Sequence, residues 1–130
     1  MKTEAQFNTW LRKGFHEETG GNCVIERVES TVGNGIFDLF VILPHKVLFI
    51  ESKYETSKLR AEQYALQIKT STVIENDVCK VMSIAVYPKT KRFVVNTYCT
   101  LSITEDGIKP TSTKNYKLSK EGFKLFYNQL

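Results

Sequence analysis

Asp38 lies in the run Gly35-Ile36-Phe37-Asp38-Leu39, and thirteen residues after it comes Glu51, in Phe49-Ile50-Glu51-Ser52-Lys53. Two acids and a lysine thus interrupt apolar segments that read as the arms of a β-hairpin. A strand core has no structural use for that trio, whereas a divalent metal and a phosphodiester do. Side chains alternate across a strand, so Glu51 and Lys53 share a face with Val47 and Phe49. Closing the hairpin symmetrically on Pro44-His45 sets Leu43 opposite Lys46. The same register sets Asp38 opposite Glu51, with Cβ atoms roughly 4.5–5.5 Å apart. Pro44 is not the usual first residue of a tight two-residue turn; a longer symmetric loop keeps this register, and a bulge would shift it. Like charges facing each other in a sheet repel. Half-buried, they either raise one pKa or recruit a cation. Oxygen ligands without His or Cys favour a hard ion, Mg²⁺ or Mn²⁺. Beside such an ion Lys53 could hold a water for attack or neutralise charge on a pentavalent phosphate. The bland alternative makes Asp38 and Glu51 solvent-exposed strand ends, with Lys53 and Glu51 in a surface ion pair of little worth.

The elements around this hairpin can be read from periodicity. Thr3 to about Glu18 predicts a helix, with Phe7, Leu11 and Phe15 at helical spacing, Trp10 widening the apolar face and Gly20-Gly21 ending it. Cys23 to Val28 predicts a short strand, Ser30 to Gly35 a turn, and Gly35 to Leu43 and Lys46 to Lys53 the two hairpin strands. Ser57 to about Thr70 predicts a helix with Leu59, Leu66 and Ile68 as buried candidates. Lys80 to Tyr87 and Arg92 to Ile103 predict two more strands around Pro88-Lys89-Thr90-Lys91. Asp106-Gly107 marks a further turn, and Ser119 to Leu130 a terminal helix with Phe123, Phe126 and Tyr127 on one side. The expected order is α-β-β-β-α-β-β-α, an α/β (α+β) fold with a mixed sheet flanked by helices.

At 130 residues the chain suits one domain. No run is long enough to cross a bilayer, and the polar N-terminus lacks the apolar core of a secretion signal. Cys23, Cys79 and Cys99 fit neither a disulfide framework nor a zinc motif; they are expected as buried thiols in a reducing cytoplasm. A formal net charge of +4 is a mild basic bias, compatible with a polyanionic partner.

Asp, this spacer, then Glu-x-Lys on the next strand resembles the PD-(D/E)XK nuclease superfamily. The preceding glycine and Leu59-Arg60-Ala61-Glu62-Gln63 on the following helix make the match similar to the VRR-NUC nucleases and, more distantly, the archaeal Holliday junction resolvases. The resemblance covers roughly the N-terminal half and implies a restriction-endonuclease-like sheet. It implies that Asp38 and Glu51 bind metal together with the peptide carbonyl of Ser52, and that Lys53 assists catalysis. It also implies a glutamate from the first helix. Glu4 is the candidate, with Glu17 and Glu18 as alternatives at a helix end that suits solvated charge; read plainly, Glu4 is a first-turn acid favouring the helix dipole. Gln63 matches the family's glutamine. On a face shared with Leu59 and Leu66 it is either a buried amide, which must find partners at the site or on DNA, or an ordinary polar rim position. The family's proline before the aspartate is Phe37 here, at a position that points away from the site.

Lys58 and Arg60 follow the second hairpin strand and are the candidates for nucleic-acid contact. Lys69, the Lys89-Lys91-Arg92 turn, Lys114, Lys117, Lys120 and Lys124 add positive charge that would give affinity without reading sequence, although any single lysine is better explained as surface solvation. His16 and His45 read as surface residues. No zinc finger, recognition helix or RNA-binding aromatic motif is present, which favours shape over base sequence. The expectation is a Mg²⁺-dependent endonuclease for branched DNA, and the family resemblance implies that it leaves a 5′-phosphate and a 3′-hydroxyl. It would work as a homodimer matching a two-fold junction, and its small size suits a phage or mobile element acting in a host cytoplasm. The alternatives are a nuclease-like fold that grips DNA or a protein without cutting and, with little chain to spare for base recognition, a restriction-type subunit.

Overall fold

The computed structural model describes residues 1–28, 37–55, 59–74 and 77–130. Helix α1 (Glu4–Thr19) starts where predicted because Thr3 caps it: the Thr3 hydroxyl accepts a hydrogen bond from the Gln6 N–H at 3.1 Å. It stops at Gly20, whose φ of 61° lies in the left-handed region that only glycine enters without a Cβ penalty. Its apolar stripe, Phe7, Leu11 and Phe15, is completely buried.

The remaining elements are β1 (Val24–Arg27), β2 (Leu39–Ile42), β3 (Val47–Tyr54), α2 (Ala61–Val73), β4 (Cys79–Tyr87), β5 (Arg92–Thr97), a two-residue-stranded hairpin of β6 (Ile103–Thr104) and β7 (Gly107–Ile108), β8 (Ser112–Lys117) and α3 (Lys120–Asn128). One six-stranded sheet runs β1-β2-β3-β4-β5-β8. Its central pair, β3 and β4, is parallel and the other pairs are antiparallel. A parallel pair needs a crossover, and α2 supplies it.

The two faces of the sheet differ in chemistry. Leu48 and Ile50 of β3, Met82, Ile84 and Val86 of β4 and Phe93 and Val95 of β5 point to one face, where they join α1 and α3 in the main core. Phe15 and Phe123 meet edge to face there, with ring centroids 5.0 Å apart. By alternation Phe49, Glu51 and Lys53 occupy the opposite face, in register with Val81, Ser83 and Ala85, and α2 approaches that face.

Several expectations are corrected. The strand predicted over Arg92 to Ile103 ends at Thr97, followed by a 3₁₀ turn at Thr100–Ser102, and β8 adds an edge strand that was not predicted. The turn at Asp106-Gly107 joins β6 to β7. Helix α2 starts at Ala61 rather than Ser57, so Leu59 is buried ahead of it, while Leu66 and Ile68 are only half-buried; its buried side chains are Gln63 and Gln67. At Gln63 the amide meets the buried Glu51 carboxylate of the sheet. The three cysteines are free and half-buried rather than buried. Strand β2 is shorter than predicted; Gly35, Ile36 and the turn from Ser30 lie outside the described residues, as does Lys58. Among the described residues no helix is long and apolar enough to cross a membrane.

Candidate active site

The hairpin register is the one expected: Leu39 pairs with Ile50, Phe40 with Phe49, Val41 with Leu48 and Ile42 with Val47. The Leu43 N–H donates to the Lys46 carbonyl at 2.7 Å. Hydrogen-bonded rungs alternate along an antiparallel ladder, so they fall at Leu43–Lys46, Val41–Leu48 and Leu39–Ile50, and the next would be Phe37–Ser52. Strand β2 begins only at Leu39, and that rung is missing. The Asp38 side chain takes its place. Its Oδ2 accepts from the Ser52 N–H at 2.9 Å and from the Ser52 hydroxyl at 3.0 Å. On the other side the Asp38 carbonyl accepts from the Val28 N–H at 2.9 Å. Asp38 is thereby fixed between β1 and β3 at the point where the ladder opens. A residue in a ladder directs its N–H and C=O to the same neighbour, so the Ser52 carbonyl also faces this opening.

Glu51 is 2% exposed. Its Oε1 accepts from Gln63 Nε2 at 2.6 Å and lies 3.8 Å from Lys53 Nζ. The amide of Gln63 cannot be turned round, because its Oε1 already accepts from the Arg60 N–H at 2.7 Å. The ion pair of the bland reading therefore exists, but it is buried rather than superficial, with Lys53 15% exposed and Glu51 3% by side chain. Each carboxylate has one oxygen held by a donor, Asp38 Oδ2 by Ser52 and Glu51 Oε1 by Gln63.

The electrostatics follow from this crowding. Burial first, then the Asp38 charge and a hydrogen bond with Asp38, push the Glu51 carboxyl from its ordinary 4.5 up to about 8; Lys53 opposes the shift and Glu4 adds a little to it. Glu4 is half-buried and its carboxyl is also raised, by burial first and then by the Asp38 charge. Lys53 and a hydrogen bond from Ser52 pull it back down. Glu4 therefore belongs to this cluster. It is carried there by the first turn of α1, whose approach is held by the Tyr54 hydroxyl donating to the Met1 carbonyl at 3.4 Å. Glu17 is exposed near the far end of α1, in an i,i+4 pair with Lys13 at 4.0 Å, and Glu18 follows it. Arg60 sits exposed just ahead of α2.

The donor set suits a hard divalent cation: carboxylate oxygens of Asp38, Glu51 and Glu4 and a peptide carbonyl, with no sulfur or imidazole. Among the described residues no three His, Cys, Asp or Glu side chains are drawn together as an ion-holding group. Burial and then the Asp38 charge make the Glu51 carboxyl keep its proton to about 8, and a bound cation would favour its ionised form.

Sequence reasoning missed a second polar layer behind Glu51. Ser83 pairs with Glu51 in register, is 5% exposed and hydrogen-bonds Tyr98, whose hydroxyl is pushed up to about 12 by burial and by neighbouring Tyr64. Gln67, one helical turn after Gln63, is buried with neither amide atom paired among the described residues. The signals were present: a serine inside the apolar strand Val81 to Val86, and two glutamines four residues apart on a helix.

No protein-family model and no curated protein matches the chain. Solved structures do. A VRR_NUC domain is 22% identical, with a TM-score of 0.50 over 67% of this chain and 87% of that chain. The Holliday junction resolvase Hjc of the archaeal hyperthermophile Archaeoglobus fulgidus is 12% identical, with a TM-score of 0.49 over 87% of this chain and 89% of that chain. The likeness to the VRR_NUC domain is one of fold: the chain adopts a nuclease-like mixed sheet with helices on both faces.

Proposed function

We propose that the protein is a Mg²⁺- or Mn²⁺-dependent DNA endonuclease acting on branched DNA such as a four-way (Holliday) junction, with a homodimer presenting two sites to the two-fold target. The observation that carries this reading is the pair Asp38 and Glu51. Each has one oxygen held by neutral donors, and burial together with the Asp38 charge lifts Glu51 to about 8, with Lys53 alongside. Asp38, Glu51 and the Ser52 carbonyl would hold the ion, with Glu4 beside them. Such an ion, when bound, polarises a phosphodiester and lowers the pKa of a water. Ser52 and Gln63 fix the two carboxylates so that little reorganisation is needed at the moment of reaction. Lys53 holds its ammonium 3.8 Å from Glu51 Oε1, where it would orient the attacking water and offset charge on the phosphate. Arg60, exposed beside the site, and Lys58, outside the described residues, are proposed DNA contacts. Branched DNA is the substrate that the sequence resemblance to the archaeal Holliday junction resolvases implies.

The test is cleavage of a labelled four-way junction and of the matching linear duplex with Mg²⁺, by the intact protein and by Lys53→Ala. Loss of cleavage with retained DNA binding is expected; equal cleavage by both proteins removes Lys53 from the mechanism. Calorimetry with Mn²⁺ separates this reading from a non-cutting DNA- or protein-binding module. Heat that disappears in Asp38→Asn is expected, and no heat from either protein favours the module.

A further inference from the structure

Arg92 opens β5 on the sheet face that carries Lys53. Lys53 pairs with Ala85, two residues before Tyr87, and Tyr87 pairs with Arg92. From strand spacing and rise, the Cα atoms of Lys53 and Arg92 are roughly 12 Å apart. The Arg92 side chain is held by three neighbours. Its guanidinium carbon lies 4.4 Å from the Tyr87 ring centroid. Its Nη1 donates to Asn115 Oδ1 at 2.7 Å, and its Nε donates to the Thr90 hydroxyl at 3.1 Å. All three are neutral, and among the described residues no carboxylate pairs with it.

A surface arginine ordinarily keeps about 2 kcal/mol of rotamer freedom. Here that freedom is given up in folding, yet no anion inside the protein is bound in return. Two of the five N–H donors are used, and the rest of the fork remains for a ligand from outside. Lys117, in register with Arg92, and Lys89 and Lys91 of the adjoining turn are exposed around it. A planar fork with spare donors, set in positive surroundings, matches the oxygens of a phosphodiester. We infer that Arg92 is a preset phosphate receptor that grips the duplex arm flanking the cleavage site, a few phosphates from the one facing Lys53. This rests on the DNA-cleaving reading for its direction, but its test does not depend on cleavage.

The test is equilibrium binding in EDTA of a fluorescein-labelled four-way junction, by anisotropy across a range of NaCl concentrations. Arg92→Met, which keeps an aliphatic contact with Tyr87, is expected to bind about tenfold more weakly. Its slope of log K against log salt should be shallower by about 0.9, the signature of one lost phosphate contact. Asn115→Asp keeps the acceptor but neutralises the guanidinium. It is expected to reproduce the loss while melting no lower than wild type, and to add little in the Arg92→Met background. Unchanged affinity and slope in Arg92→Met overturn the inference. So does an Asn115→Asp effect that persists undiminished in the double variant, which would be plain repulsion. If Arg92→Met weakens binding but wild type cuts nothing with Mg²⁺, the receptor stands and the nuclease reading falls. If wild type cuts and Arg92→Met binds normally, the reverse holds, and if wild type binds no DNA both fall.

Discussion

Replacing Glu51 by Gln should stabilise the metal-free protein, and increasingly so as pH rises. In the folded chain the Glu51 carboxyl keeps its proton up to about 8, whereas unfolded it releases it at an ordinary 4.5. The folded state therefore binds this proton more tightly. The stabilisation is complete below the unfolded value and is lost as pH climbs through the folded one. At 1.36 kcal/mol per pH unit the loss has a ceiling of about 5 kcal/mol, reached above pH 8. Gln escapes that loss. It keeps an Oε1 to accept from Gln63 Nε2 and offers Asp38 an N–H where the protonated acid offers an O–H. Urea unfolding in EDTA, from pH 5 to pH 9, measures the difference directly, provided the m-values agree. The two proteins should be nearly equal at the acid end and separate by several kcal/mol at the alkaline end, with wild type the less stable. A separation that stays constant with pH would refute the reasoning, because it would mean that Glu51 does not titrate abnormally. Mg²⁺ adds a second check. An ion that competes with the proton should restore wild type most at alkaline pH, by about 2.7 kcal/mol at a hundred times its Kd, and leave E51Q unmoved.

Other outcomes follow from the same geometry. Gln63→Ala removes the partner of both the Glu51 Oε1 and the Arg60 N–H; a loss of about 1–3 kcal/mol in denaturant unfolding is expected, together with a higher Mg²⁺ requirement for cleavage. Gly14→Ala would place a Cβ 2.8 Å from the Phe123 ring, and Gly122→Ala one 1.9 Å from the Lys117 carbonyl oxygen. The ring can shift but the backbone cannot. The first should lower stability by about 1–3 kcal/mol and the second by more, an order that thermal melts would check.

How far the site was legible in the sequence depends on which residues carried it. The acid pair was legible because a hairpin register is arithmetic once its closing point is known, and Leu39–Ile50 falls where that arithmetic puts it. Glu4 was offered by the resemblance, which implies a glutamate on the first helix, and the Thr3 cap puts that residue in the first turn. Strand β8 was not. Of Ser112–Lys117 only Tyr116 is buried, so the segment shows no alternation, as befits an edge strand with lysines on it. Helix α2 misled for the opposite reason: its buried positions are glutamines, and hydrophobic periodicity cannot find a face whose partner is itself polar.

Asp38 shows why register alone was still not enough. Opposite positions in a regular ladder would have left two carboxylates simply facing each other, an arrangement that costs stability and does nothing else. Because β2 stops at Leu39, Asp38 is released from the ladder, and its side chain takes the Ser52 N–H that the missing rung leaves over. The fold thus turns the end of a strand into an anchor. One backbone donor, one hydroxyl and one glutamine amide fix a pair of acids of which Glu51 keeps its proton up to about 8. Ionising the buried Glu51 beside Asp38 destabilises the metal-free protein as pH rises towards 8. A divalent cation would convert that cost into affinity, because the charge that folding must tolerate is the charge that binding neutralises.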